Sequence, residues 1–325
     1  MDGNPFGDKG NWYKGNLHSH TRLSDGNVSV EELADGYRDF GYDFLAITDH
    51  NTIAEIPEKY NDMDDFIVIP GAEVQVQFNG SWGCELLAID IPELPGKKTG
   101  DRWNDFIPPP MQTAIHRVVD MGGLPFLSHP RLSGVYSRLV FDLEHLAGME
   151  IFNPSAGGRA DSTVHWDDLL TAGNRLWGIA SDDSHAGIAQ TKRKAWICVR
   201  AAHLSRQSIL ASVRKGWFYS TTGPEILDLG ISDTEVTVKT APVKSIEFIS
   251  TPWFGESFHA GQGGILTEAT CQMERIGSRT RMAWLLDQTI EKGLITQEQP
   301  YGAYFRIECV DEQGCRAWTN PITIE

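Results

Sequence analysis

The stretch NLHSHTRLSDG, residues 16–26, places His18 and His20 two apart and Asp25 five residues further on. On an extended chain alternate side chains share a face, so both imidazoles can reach one ion. An H-x-H pair alone is a weak signal, which two hydrogen-bonded or surface histidines would also give. Its weight grows because ITDHN sets His50 directly behind an apolar run, and SHP and SDDSH do the same for His129 and His185. Asp25, Glu73 and Asp183 add hard oxygen donors that balance charge or bridge two ions, while neutral imidazole suits zinc, iron or manganese. A mixed His/Asp/Glu set with no thiolate favours a catalytic over a structural metal. Two divalent ions about 3.5 to 4 Å apart share a water, lower its pKa towards 7 and polarise the ester oxygen under attack.

Such donors must be brought together by regular elements. Residues 15 to 222 alternate short apolar runs with amphipathic segments, the rhythm of an α/β domain. SVEELADGYRDFG reads as a helix, with a Ser29/Glu32 capping box, Leu33, Tyr37 and Phe40 at helical spacing and Gly41 as its stop. MQTAIHRVVDMGG, HWDDLLTAG and SRQSILASVRKG read as further helices, and DFLAITDH, FIVIPGAEV, LPFLSHP, GMEIFN and LWGIASDDSH as strands. Each strand runs into polar residues, and in α/β barrels and open sheets the reactive side chains gather at such carboxyl ends. WNDFIPPP reads as a rigid loop. After STTGPEI the texture becomes alternating apolar and polar, as in EVTVKT, KSIEFIS and YFRIECV, which predicts a β-sandwich of roughly 100 residues. The expected division is a domain over 1–223 and a β-sandwich domain over 224–325.

The balance of 28 basic against 44 acidic residues gives a formal charge of −16, which repels a phosphate backbone and argues against nucleic acid as the main partner. The five cysteines are odd in number and lack C-x-x-C spacing, so no disulfide framework is indicated; only Cys309 and Cys315 could face each other across a hairpin. No run of about 18 apolar residues occurs, and a soluble chain is expected, with the cytoplasm favoured over export followed by signal removal. A homo-oligomer is compatible with the sequence. His116, His145, His165, His203 and His259 lack surrounding carboxylate patterns and are expected to be structural or surface residues. The aromatics of TPWFGESFHAG (Trp253, Phe254 and Phe258) are expected in a β-sandwich core.

The motifs HSH, SDG, ITDHN, PGAEV, SHP and SDDSH, in this order, resemble the PHP (polymerase and histidinol phosphatase) domain over about residues 15 to 222. The WYKGNLHSHT opening and the GCRAWTNPI ending look like the bacterial stand-alone members with an appended β domain. The resemblance implies a distorted seven-stranded β/α, TIM-like barrel with two or three divalent ions (zinc, manganese or iron). It implies His18, His20, Glu73 and Asp183 as ligands of one ion, Asp25, His50 and His185 of a second, and a bridging Glu73 with His129 for a third. One expected histidine is missing, and GCELLAID offers Cys84 or Glu85 in its place. Asp49 and Asp182 would orient ligands or protonate the leaving group. Arg22, Arg131, Arg159, Lys192 and Arg193 are candidate phosphate contacts, Arg131 foremost because it lies two residues after His129. The implied activity is a phosphoesterase releasing phosphate from a small metabolite or nucleotide through a metal-bound hydroxide. The same cluster could serve an amide or carbamate hydrolase, or merely stabilise a non-catalytic binding module.

Overall fold

The computed structural model describes residues 4–7, 9–60, 63–78, 81–190, 194–251, 254–276 and 304–323. Lys192, Arg193 and Trp253 therefore lie outside the described residues. The chain opens with β1 (Asn11–Asn16), α1 (Val30–Asp39), β2 (Phe44–Ile47), β3 (Ile67–Phe78) and β4 (Ser81–Ile89). A short hairpin, β5 (Lys97–Lys98) and β6 (Phe106–Ile107), precedes α2 (Met111–Asp120), β7 (Leu124–Leu127), α3 (Pro130–Ser133), α4 (Ser137–Val140), β8 (Gly148–Phe152) and α5 (Thr163–Thr171). Then come β9 (Trp177–Ala180), β10 (Trp196–Ala201), α6 (Arg206–Arg214) and β11 (Phe218–Thr221). The remainder is β12 (Ile226–Ile231), β13 (Glu235–Val243), β14 (Ser245–Ser250), β15 (Gly255–His259), β16 (Leu266–Gln272), α7 (Met273–Ile276), β17 (Tyr304–Val310), β18 (Arg316–Thr319) and β19 (Ile322–Thr323).

Local chemistry accounts for the first helix. The Ser29 side chain accepts from the Glu32 amide, while the Glu32 carboxylate accepts from the Ser29 amide, closing the capping box and satisfying two end donors. Leu33 and Tyr37 face the core, but Phe40 is 45 % exposed, with the Lys194 ammonium 3.8 Å above its ring. Helical spacing alone put Phe40 inside; it falls at the C-cap, where the chain already turns away from the core towards Gly41 at φ 76°. The FIVIPGAEV strand is longer than its apolar run suggested. It pairs with β4, a strand the sequence reading did not separate, in an antiparallel hairpin.

The fold is mixed α/β around one large sheet. Its path runs β15-β14-β17-β18-β11-β10-β1-β2-β3-β4-β7-β8-β9, with β19 beside β17. β1, β2 and β3 are parallel neighbours, as are β7, β8 and β9, whereas β4 is antiparallel to both β3 and β7. A parallel bridge between Ser19 and Ser184 joins the chain just beyond β1 to the chain just beyond β9. A second sheet, β12-β13-β16, shares a core with β14 and β17 through Val236, Val238, Phe248, Ile307 and Cys309. Phe258 packs partly buried against that core. All five cysteines are free thiols, Cys309 and Cys315 among them. No helix among the described residues is long and apolar enough to cross a membrane.

Candidate metal centre

The ends of β1, β2 and β9 are stitched together by main-chain bonds. The His20 amide donates to Ser184 O at 2.9 Å, the Asp183 amide to His18 O at 3.1 Å and the Thr48 amide to Ser19 O at 2.9 Å. The Asn51 amide donates to Glu73 O at 2.9 Å, which sets His50 beside Glu73. His129 and Asp183 hold φ values of 20° and 50°, positions uncommon for residues with a Cβ and tolerated where surrounding contacts fix them. Eight side chains from far-apart strand ends thereby meet.

Glu73, 1 % exposed, is the hub. Its Oε2 lies 3.2 Å from His18 Nε2, 3.4 Å from His20 Nε2 and 3.2 Å from His50 Nδ1, and its Oε1 lies 3.1 Å from His129 Nε2. Asp183 Oδ1 is 3.4 Å from His18 Nε2 and 3.1 Å from His20 Nε2. Asp25 Oδ2 is 3.5 Å from His50 Nε2 and 3.4 Å from His185 Nε2, while its Oδ1 lies 3.6 Å from His20 Nδ1. Donor atoms of His18, His20 and Asp183 converge, as do those of His20, Asp25, His50 and His185, of His18, Glu73 and His129, and of His50, Glu73 and Glu85.

These residues fit divalent ions. Ligand atoms about 2.0–2.1 Å from a tetrahedral centre lie about 3.3 Å from one another, which is the spacing found here. His20 Nδ1, His50 Nδ1, Glu73 Oε1 and Asp183 Oδ1 are buried with no hydrogen-bond partner. Orphaned buried donors and acceptors are costly, and such atoms, spread over adjoining groups of donor residues, are what bound cations would satisfy.

The neighbouring strand settles which side of GCELLAID faces the cluster. Gln75 pairs with Glu85 and Val76 with Cys84 across the β3–β4 ladder, so Glu85 shares Glu73's face and Cys84 lies with Val74 and Val76 in the core. Glu85 reaches within 3.5 Å of His50 Nδ1 and 3.6 Å of His129 Nε2.

Glu150, which sequence reasoning missed, sits directly behind the cluster. Its Oε1 is 2.8 Å from His18 Nδ1 and also receives the Ser181 hydroxyl. Its Oε2 accepts from the His129 amide at 2.8 Å and from Asn153 Nδ2 at 3.2 Å. Asn153 Nδ2 also donates to Asp183 Oδ2 at 3.1 Å. The signal was present in GMEIF: a carboxylate between the apolar residues of a strand whose first four residues are buried must have partners.

Asp49 and Asp182 have their oxygens engaged elsewhere. Asp49 accepts from the Thr21 amide and hydroxyl, both at 2.8 Å, and from the Ser24 hydroxyl at 2.7 Å, so it pins the turn that carries Asp25. Asp182 accepts from the Ala195 amide at 2.8 Å, Asn16 Nδ2 at 2.9 Å and the Tyr37 and Tyr42 hydroxyls at 3.0 and 3.3 Å. Burial pushes its carboxyl up to about 6.

Charge inside the cluster follows from the same contacts. Burial opposes protonation of His18, but Asp183, Glu73 and Glu150 outweigh it and hold the imidazole well above its ordinary value. Burial likewise opposes charge on His50 and His129, yet Asp25 with Glu73 and Glu85, and Glu73 with Glu150, carry them up to about 9. Burial, reinforced by Glu73, raises Glu85 to about 7. Burial keeps His20 below its ordinary value.

The candidate cations are placed less tellingly. Arg131 Nη1 donates to Asp161 O at 3.2 Å and Arg159 Nη1 to Leu132 O at 3.4 Å. Arg22 donates to Asn27 O at 2.9 Å and pairs with Glu32. His116 and His145 are exposed and form, with Glu144, a separate trio of donor residues that the sequence reading did not foresee.

Residues 16–124 match the family described as the PHP domain. The match takes in HSH, SDG, ITDHN and PGAEV and ends before SHP and SDDSH. Similar solved structures include a two-domain Bacteroides vulgatus protein containing a predicted PHP-like metal-dependent phosphoesterase, at 14 % identity over 81 % of this chain and 86 % of that one, TM-score 0.46. An amidohydrolase from Chromobacterium violaceum with bound sulfate is similar at 15 % identity over 63 % of this chain and 96 % of that one, TM-score 0.43. A lesion-specific endonuclease from Pyrococcus furiosus is similar at 13 % identity over 63 % of this chain and 56 % of that one, TM-score 0.45. No curated protein matches the chain.

Proposed function

We propose that this chain, whose residues 16–124 match the PHP domain, is a metal-dependent phosphoesterase that releases phosphate from a small phosphorylated molecule. The observation that carries the reading is the gathering of five imidazoles and four carboxylates into overlapping donor groups around buried Glu73, with four of their side-chain atoms buried and without a hydrogen bond. His18, His20, Glu73 and Asp183 would hold one divalent ion, and Asp25, His50 and His185, with His20 within reach, a second. Glu73, His129 and Glu85 would hold a third, and zinc, manganese or iron suits this donor set. Bound ions would supply Lewis acidity and a water of lowered pKa.

The chain's own residues do the positioning. Glu150 fixes His18 with Nδ1 as donor, so that Nε2 presents a lone pair. Ser133 Oγ, 3.1 Å from His129 Nδ1, does the same for that ring. Asp49 and Asp182 act as positioning residues, one on the Asp25 turn and one on the segments flanking Asp183 and Asn16. The seven-stranded barrel is supported by the path β1-β2-β3-β4-β7-β8-β9 and by the Ser19–Ser184 bridge between its two ends. The sandwich over 224–325 is supported by the core shared between the two C-terminal sheets.

A second reading, an amide or carbamate hydrolase, is favoured by the arginines. Arg131 and Arg159 donate to backbone carbonyls, and attack on a carbonyl carbon calls for fewer cations than attack on phosphorus. Metal-loaded protein screened on phosphomonoesters, nucleotides and amides tests both. Phosphate release that is lost on chelation and in Asp183→Ala supports the first. Amide turnover without phosphate release would replace it with the second. Loss of metal and of melting temperature in Asp183→Ala, with hydrolysis absent from both proteins, would leave only a metal-stabilised binding module.

A further inference from the structure

The β5–β6 hairpin meets the cluster at His50 while contributing no donor to it. Its loop is closed by the Thr99 amide donating to Asp105 O at 2.8 Å, the Asp105 amide to Arg102 O at 3.0 Å and the Arg102 amide to the Asp105 carboxylate at 3.2 Å. Gly100 permits this closure, since a Cβ there would stand 2.5 Å from the Asp105 carboxylate. The loop so fixed presents Trp103, only partly buried, with its indole stacked on the His50 imidazole at a centroid distance of 5.2 Å and an interplanar angle of 29°. Among the described residues it is the one non-histidine ring stacked on a cluster histidine. At the root of the hairpin Lys98 Nζ donates to Thr52 Oγ1 at 3.0 Å, two residues beyond His50.

Phosphate and metals need carboxylates, imidazoles and cations, not an indole. A broad apolar face beside an otherwise polar cluster serves the remainder of a substrate, and a flat ring is the group that stacks on it best. The Lys98 ammonium, in a chain of net charge −16, adds local attraction for an anion. We propose that the hairpin spanning residues 97–107 is a substrate-recognition arm, in which Trp103 forms the wall for a planar aromatic or heterocyclic ring carried by the phosphoester. The proposal rests on the phosphoesterase reading and names the class of leaving group.

The test compares dissociation constants of phenyl phosphate and inorganic phosphate for metal-loaded wild type, Trp103→Phe and Trp103→Ala by calorimetry, with metal content measured in each. Wild type is expected to bind phenyl phosphate at least tenfold more tightly than phosphate, Trp103→Phe to keep most of that preference and Trp103→Ala to lose it. Equal preference in wild type and Trp103→Ala, or none in wild type, overturns the proposal. So does loss of one metal equivalent in Trp103→Ala, because the indole would then act by holding His50. Absence of phosphate release from every ester tried counts against the phosphoesterase reading instead, and the binding preference still judges the arm.

Discussion

Replacing Glu150 by glutamine keeps the shape of the side chain and removes its charge, which isolates what the buried carboxylate does. All four of its partners donate: His18 Nδ1, the Ser181 hydroxyl, the His129 amide and Asn153 Nδ2. A glutamine has one accepting oxygen and an amide nitrogen that only donates. With the nitrogen turned towards Oε2's partners, the buried His129 amide is left without an acceptor, at a cost of about 1–3 kcal/mol. Turned the other way, it forces His18 to carry its proton on Nε2, the atom facing Glu73 and Asp183 at 3.2 and 3.4 Å, and that nitrogen can no longer ligate. Outer partners of metal-bound histidines are worth about 10- to 100-fold in affinity. Glu150→Gln is therefore expected to weaken metal binding by about that factor, read by competition against a chromogenic chelator, and to lower the melting temperature of the metal-loaded protein. Wild-type affinity together with an unchanged melting temperature would refute the argument that Glu150 sets the His18 tautomer.

Four further outcomes are expected. With His50 and His129 raised to about 9 in the metal-free protein, both carry protons at pH 7 that ions must displace, so loading should release protons and apparent affinity should climb with pH until about 9. Because these folded-state values exceed the ordinary 6.5, the stabilisation they give is present below that pH and lost as pH rises through about 9; calorimetry in buffers of differing ionisation enthalpy, and melting of the apoprotein, read the two effects. Glu85→Ala should lower the number of ions bound by elemental analysis, whereas Cys84→Ala should leave that number unchanged and cost about 1 kcal/mol for a methyl-sized cavity. Arg306, 1 % exposed, grips Asp167 with two bonds of 2.7 and 2.6 Å, and Arg306→Ala should cost about 3 kcal/mol in chemical denaturation, the low end for a broken buried pair because Asp167 is one-third exposed.

The residues that meet in the cluster were legible as candidates because the ends of strand-like runs carry most of them. His50 closes the run FLAITDH beside Asp49, and His185 closes LWGIASDDSH two residues after Asp183, while His18 and His20 show only H-x-H spacing with Asp25 five residues on, a pattern that survives without coordinates. Glu85 was not separable from Cys84, because the choice depends on the parity of a strand whose pairing with β3 the sequence does not announce. Once Gln75 is known to face Glu85, period-two alternation from Glu73 decides it. Glu150 was hidden for a different reason: its role depends on His18, His129 and Ser181, which are 132, 21 and 31 residues away. Phe40 shows the converse limit, where regular spacing continued past the point at which the helix stopped burying its face.

The sequence changes texture near residue 223, but it does not show how the strands on either side of that point pair. β11 pairs with β18 through Tyr219 and Thr319, residues distant in sequence, and β11 also pairs with β10, which pairs with β1. An unbroken ladder thus runs from the C-terminal strands to the strand that leads into His18 and His20. Side chains reinforce it: Arg316 Nη1 lies 2.9 Å from Asp161 Oδ2 while the Asp161 carbonyl receives Arg131, so a residue of β18 braces the loop beside α3, the helix that begins immediately after His129. The C-terminal strands are therefore attached to the supports of the cluster from two sides, through β1 and through Asp161.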